Sequence, residues 1–202
     1  MTPDAPGTRE RLLAAATELF AHSGYRGASV RDICDRARAN SGAVSYHFGG
    51  KRQLYRIVLR RSVEAAAEAV GRAAAREHDT TARARVAVRE LLNVLETDPA
   101  LLRLVTHDLA EGGEVAAESL VPPLRAAYDA VRDGLGPSDD PGAAREARAV
   151  LLGLCAPVLL VAVAWPVLER VLEPPPGSRR QILEELLDAV RHGDRNSERS
   201  ED

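Results

Sequence analysis

The side chains best suited to chemistry lie close together, between Ser29 and Lys51. Ser41, Gly42, Ala43 and Ser45 place small or short polar groups on one brief segment, beside Val44 and Phe48, which read as core. A helix that reads base edges in a DNA groove needs such a face, with flanking groups to clamp phosphates. Ala43 can touch a thymine methyl, and the Ser41 and Ser45 hydroxyls can donate to or accept from several bases. Lys51, the chain's single lysine, falls at the first turn of the next helix, where an ammonium and free backbone N–H groups together suit a phosphate. Ser29 can do likewise at the start of the preceding helix, and Arg31 is the candidate for a bidentate guanine contact. Plainer readings stand beside these: Ser29 as a helix cap only, and His47 as an ordinary surface residue.

Other chemistries find less support. The five histidines contain no His-x-x-x-His pair, no Gly-rich phosphate loop occurs, and no serine sits in a nucleophile elbow, so neither an enzyme nor a metal site is expected and no cofactor is implied. Cys34 and Cys155 stand far apart in apolar helical patterns, which argues against a disulfide framework and agrees with a reducing cytoplasm. The first residues show no basic start followed by an apolar stretch, so no secretory signal is expected. The net charge of -3 hides a polarity along the chain. Residues 1–60 carry 10 Lys plus Arg against 5 Asp plus Glu, leaving 17 against 25 for the remainder. Positive charge gathers where the candidate DNA-facing residues lie.

These residues must be held by helices, because apolar spacing is helical almost throughout and no stretch alternates as a strand would. An all-α fold of about nine helices is expected. Thr8 can cap a first helix whose stripe is Leu12, Leu13, Ala16, Leu19 and Phe20, ended by Gly24. Ser29 and Asp32 open a second, with Val30, Ile33, Cys34 and Ala37 inward and a stop near Arg38. Asn40 can cap a third over Ser41–Phe48, and Gly49-Gly50 breaks the chain before a fourth, 51–76. Two short helices joined by a tight turn spell helix-turn-helix. Further helices are expected near 81–96, 99–111, and around 120–135 with a kink or restart at Pro122-Pro123. Two more follow at 143–172 and 179–192, before a polar tail, 194–202, expected to be disordered.

The segment from Thr8 to Leu59 resembles the DNA-binding domain of TetR-family regulators along its length. LFAHSGY closes the first helix, SVRDIC opens the second, SGAVSYHF forms the third and GKRQLY starts the fourth. The resemblance implies a cytoplasmic, all-helical homodimer that binds palindromic double-stranded operator DNA, usually as a repressor released by a small molecule. It places Tyr46 and His47 at backbone contacts and adds Asn40 to the DNA-facing set. It also implies a division into residues 1–52, the DNA-binding domain, and 53–193, an effector-binding and dimerisation domain, with the fourth helix as connector. Two positions depart from the family pattern. Arg38 stands where the turn usually has Gly, so either the turn differs or Arg38 is tolerated because it reaches DNA phosphate. Gly50 stands where Ser or Asn would cap the fourth helix better.

Beyond the fourth helix the chemistry thins. Arg103, His107, Tyr128, Cys155 and Trp165 are the polar or aromatic residues on mostly apolar segments, and they are the candidates to line a cavity for a largely apolar effector. Each also reads as core, interface or solvated surface. Ala149–Leu168 carries no charge over 20 residues. At about 1.5 Å per residue it would just cross a bilayer core of about 30 Å. Gly153, Pro157 and Pro166, with no aromatic belt or polybasic flank, favour instead a helix buried in a core or dimer seam, so no membrane partner is expected. The last two helices are expected to form that seam.

Overall fold

The computed structural model describes residues 7–77, 80–135, 137, 139–172, 181 and 185. Among them are eight helices and no strand: α1 Thr8–Gly27, α2 Val30–Ala37, α3 Ala43–Phe48, α4 Lys51–Ala74, α5 Thr80–Thr97, α6 Pro99–Ala110, α7 Glu114–Leu135 and α8 Pro141–Leu172. The expected ninth helix at 179–192 and the polar tail lie outside the described residues. Among the described residues no helix is long and apolar enough to cross a membrane.

Local chemistry explains most helix ends. Ser29 caps α2 as expected: its Oγ accepts from the Asp32 N–H at 3.0 Å. Asp98 does the same for α6, accepting from Ala100 and Leu101 N–H at 3.1 and 3.3 Å, with Pro99 in the first turn where its missing N–H costs nothing. Asp140 caps α8 through the N–H groups of Gly142 and Ala143. Two expected caps are not made. Gly7, not Thr8, stands at the α1 cap position, and the Thr8 hydroxyl instead accepts from Arg11 Nη2 at 3.1 Å. Asn40 offers its backbone carbonyl to Ala43 N–H at 3.1 Å, so residues 41 and 42 form a turn and α3 starts at Ala43 behind Gly42.

Gly24 does not end α1 but bends it, adopting φ 68° and ψ -178° before a last turn closes with Ala28 N–H on its carbonyl. Arg38 closes α2 in the left-handed region, φ 51° and ψ 49°, and is the only non-glycine with positive φ among the described residues. A side chain there costs about 1–2 kcal/mol relative to glycine's freedom. α7 starts at Glu114, six residues before its apolar stripe, and continues through Pro122 and Pro123, where a kink or restart was expected.

The chain folds as two compact units. The first joins residues 1–68 to 96–123, and the second joins 69–95 to 124–202. In the first, α1 packs on both α2 and α6, and Leu12, Phe20, Ile33, Val44, Leu54, Leu59 and Leu104 form its buried centre. Phe20 meets Tyr55 edge-on at 5.0 Å between centroids, and Tyr25 lies 5.2 Å from Tyr55, so three aromatic rings knit α1 to α4. Asp108 is buried at the α6–α7 corner, where its Oδ2 accepts the Ala116 N–H at 2.6 Å. In the second unit Val88, Leu92 and Leu95 of α5 and Ala143 and Ala147 of α8 are buried. Leu152, Ala156, Leu160 and Val163 leave an exposed apolar stripe along α8.

Candidate nucleic-acid interface

The α2–α3 pair is braced from below so that its outer residues stand free. Ile33, Cys34 and Ala37 of α2 and Val44 and Phe48 of α3 are buried. Arg11 on α1 donates through Nε to the Ala37 carbonyl at 3.0 Å, which satisfies an open acceptor at the end of α2 and ties the turn to α1. Arg36 pairs with Glu18 of α1, a second tie between the same two helices. Arg9 lies over the Phe48 ring at 5.3 Å.

On the outer side Ser41, Gly42, Ser45 and Tyr46 are exposed, Tyr46 to 85%. Tyr46 is also the largest exposed aromatic of the first unit, an unusual loss of burial unless a partner covers it. The His47 ring meets it edge-on at 4.9 Å. Thr8, Arg38, Ala39, Asn40, Gly42, Ala43, Tyr46 and His47 line a shared open hollow of about 580 Å³. Of the expected DNA-facing residues, Asn40, Gly42, Ala43, Tyr46 and His47 share this hollow. Ala43, the first residue of α3, is 6% exposed and still lines the hollow.

Ser29 and Arg31 sit at the start of α2. Arg31 is 89% exposed at its side chain and lies 3.7 Å from Asp35, one turn along the same helix. Lys51 opens α4 as expected, and its ammonium rests over the Tyr25 ring at 4.4 Å. Burial pushes the Lys51 ammonium below the usual lysine range, and the Glu111 carboxylate partly offsets this. The hydroxyl of the neighbouring Tyr55 is buried without a hydrogen-bond partner of good geometry. Burial, then the Asp108 carboxylate, raises its pKa well above the usual tyrosine range. Thr8, Arg9, Arg11 and Ala39 were not anticipated at this face. The sequence signal was an arginine pair one turn before the apolar stripe of α1, but its targets lie in other helices.

The expected effector residues are scattered. Arg103 is exposed on α6. The His107 ring on α6 lies against Gly24, its Nδ1 3.2 Å from where a Cβ on that glycine would stand. The Tyr128 hydroxyl on α7 donates to the Ala144 carbonyl of α8 at 3.4 Å. The side chains of Cys155 and Trp165 lie outside the described residues, although both positions are on α8. A second hollow, of about 260 Å³, lies between α4 and α7 and is lined by Gln53, Arg56, Ile57, Arg60, Val115, Glu118 and Ser119. Arg103, His107 and Tyr128 line neither hollow. Among the described residues no group of His, Cys, Asp and Glu is arranged to hold a metal ion.

Residues 12–58 match the model of bacterial regulatory proteins of the tetR family. The transcriptional activator FasR of Mycolicibacterium smegmatis is 35% identical over 150 residues, 73% of this chain and 67% of that protein. The transcriptional repressor KstR2 of the same organism is 41% identical over 64 residues, 30% of this chain and 31% of that protein. Among solved structures, the regulator FadR of Bacillus subtilis in complex with stearoyl-CoA shares the fold, with TM-score 0.68 at 12% identity over 90% of this chain and 96% of that one.

Proposed function

Because this chain belongs to the TetR family of bacterial transcription regulators, we propose that it binds palindromic operator DNA as a homodimer, represses there, and is released by a small, largely apolar effector. The observation that carries the reading is the exposed polar surface of Gly42, Ser45 and Tyr46, braced by a buried core and set in the positive part of the chain. Ser41 and Ser45 would meet bases, with Gly42 permitting close approach. Arg31 would take a guanine, while Ser29, Asn40, Tyr46, His47 and Lys51 would hold the backbone. Residues 1–52 would thus serve DNA, with 53–193 left for dimerisation and the effector.

The dimer reading draws on the exposed Leu152, Ala156, Leu160 and Val163 stripe, which needs cover in water. Two half-sites about one helical turn apart require two copies. The effector reading rests on the apolar helices of the second unit and on the likeness to a fold that accommodates stearoyl-CoA in FadR. Arg103, His107, Tyr128, Cys155 and Trp165 stay the candidates to test by substitution. Binding would favour an α4 orientation that misplaces the two recognition helices, and a coupling of about 1–3 kcal/mol would give roughly 5- to 150-fold release. Such a protein works in the cytoplasm, on the chromosome.

The test is repeated selection of random-sequence duplexes by the purified full chain at two salt concentrations. An enriched palindrome bound more weakly at high salt is the expected result, and no enrichment would overturn the reading. An activating role is the second reading, favoured by the relation to FasR. Transcription from the selected site, with and without the protein, separates the two by the sign of the change.

A further inference from the structure

Arg38 combines three features. It is the only described non-glycine held at positive φ, its side chain is exposed, and no hydrogen bond, ion pair or ring contact engages its guanidinium among the described residues. Every other arginine of α1 and α2 has a partner. Arg9 has Glu10 and Phe48, Arg11 the Ala37 carbonyl, Arg26 Glu111, Arg31 Asp35 and Arg36 Glu18. Strain at a turn that glycine would relieve, together with an unneutralised charge, gains nothing visible inside the protein. Its position is informative, because Arg38 shares its hollow with Asn40, Tyr46 and His47.

We propose that Arg38 is a positioning residue that binds a DNA backbone phosphate at the edge of the α3 surface, and that this contact is what retains an arginine in the turn. The inference rests on the DNA-binding reading above. A phosphate suits the site better than a base. The residue stands in the turn ahead of α3 rather than on the helix, and a guanidinium takes phosphate oxygens in bidentate fashion. Arg11, fixed on the carbonyl of Ala37, holds the backbone from which Arg38 reaches outward.

The experiment compares the full chain with Arg38→Gly and Arg38→Lys, measuring affinity for the selected site and for an unrelated duplex across a salt series, and thermal stability without DNA. Arg38→Gly should melt about 2–4 °C higher, since strain is relieved. It should bind both duplexes about 25- to 100-fold more weakly near 0.1 M salt, with the slope of log K against log salt reduced by about 1.8, because each dimer carries two Arg38 side chains. Arg38→Lys should retain the slope. An unchanged slope and affinity in Arg38→Gly would overturn the proposal, as would a loss confined to the selected site, which would make Arg38 a base reader. Failure of the unaltered chain to bind either duplex would instead overturn the DNA-binding reading itself.

Discussion

Gly24 shows how one residue without a side chain can govern a packing contact. Its φ of 68° with ψ of -178° belongs to a region that only glycine occupies at ease, and His107 fills the space where a Cβ would go. Gly24→Ala is expected to lose roughly 1–3 kcal/mol in denaturant unfolding, and a neutral result would show that α1 can straighten there. Tyr55 poses the opposite case, a buried hydroxyl with no well-formed bond. Tyr55→Phe is expected to keep or raise stability, whereas a loss above about 1 kcal/mol would reveal a working bond to Asp108. Because the folded-state pKa of Tyr55 lies above its unfolded value near 10, its contribution is whole below about pH 10 and declines as pH rises beyond. The phenylalanine variant should flatten that alkaline decline in pH-dependent melts. Ser29 was legible because a cap depends on neighbours three residues away. The start of α3 was not, because Asn40 holds the Ala43 N–H with its backbone carbonyl and caps nothing there with its side chain.

Helices, as elements, were legible wherever they begin or end on local chemistry. Pro99 behind Asp98, and Gly49-Gly50 before α4, mark boundaries that hold. The start of α7 was missed because its first turn is held by Asp108 from another helix, a bond invisible to periodicity. Ser29→Ala is expected to cost about 1 kcal/mol, read as a lower denaturation midpoint, since α2 is only eight residues long and has few ways to compensate. Between α4 and α7 runs a two-rung ladder, Arg52 with Glu114 at 2.9 Å and Arg56 with Glu118 at 2.5 Å. Its members are mostly exposed, and such pairs contribute about 0–1 kcal/mol each. Replacing both glutamates by Gln should therefore shift stability by less than about 2 kcal/mol in dilute buffer, and by less still at high salt. A larger loss would mean that the ladder carries the α4–α7 packing.

For the whole molecule, charge polarity and the α8 stripe make the strongest claims. The basic start of the chain predicts DNA affinity that falls steeply with salt. Leu160→Arg, in the middle of the exposed stripe, should shift the protein towards monomer in sedimentation at micromolar concentration. Composition and periodicity sufficed for the helical class, and the motif from Thr8 to Leu59 for the family. The packing of α6 on α1 was out of reach, since it joins residues about 80 positions apart with no local mark. That packing bears on how such proteins can be recombined. A chimaera that grafts α1 to α3 onto a foreign body cuts through a single core, for α1 would arrive without the helix whose His107 and Leu104 cover it. Exchange of DNA specificity between relatives should therefore succeed more often by replacing the few outward residues of α2 and α3 in place than by swapping whole head regions.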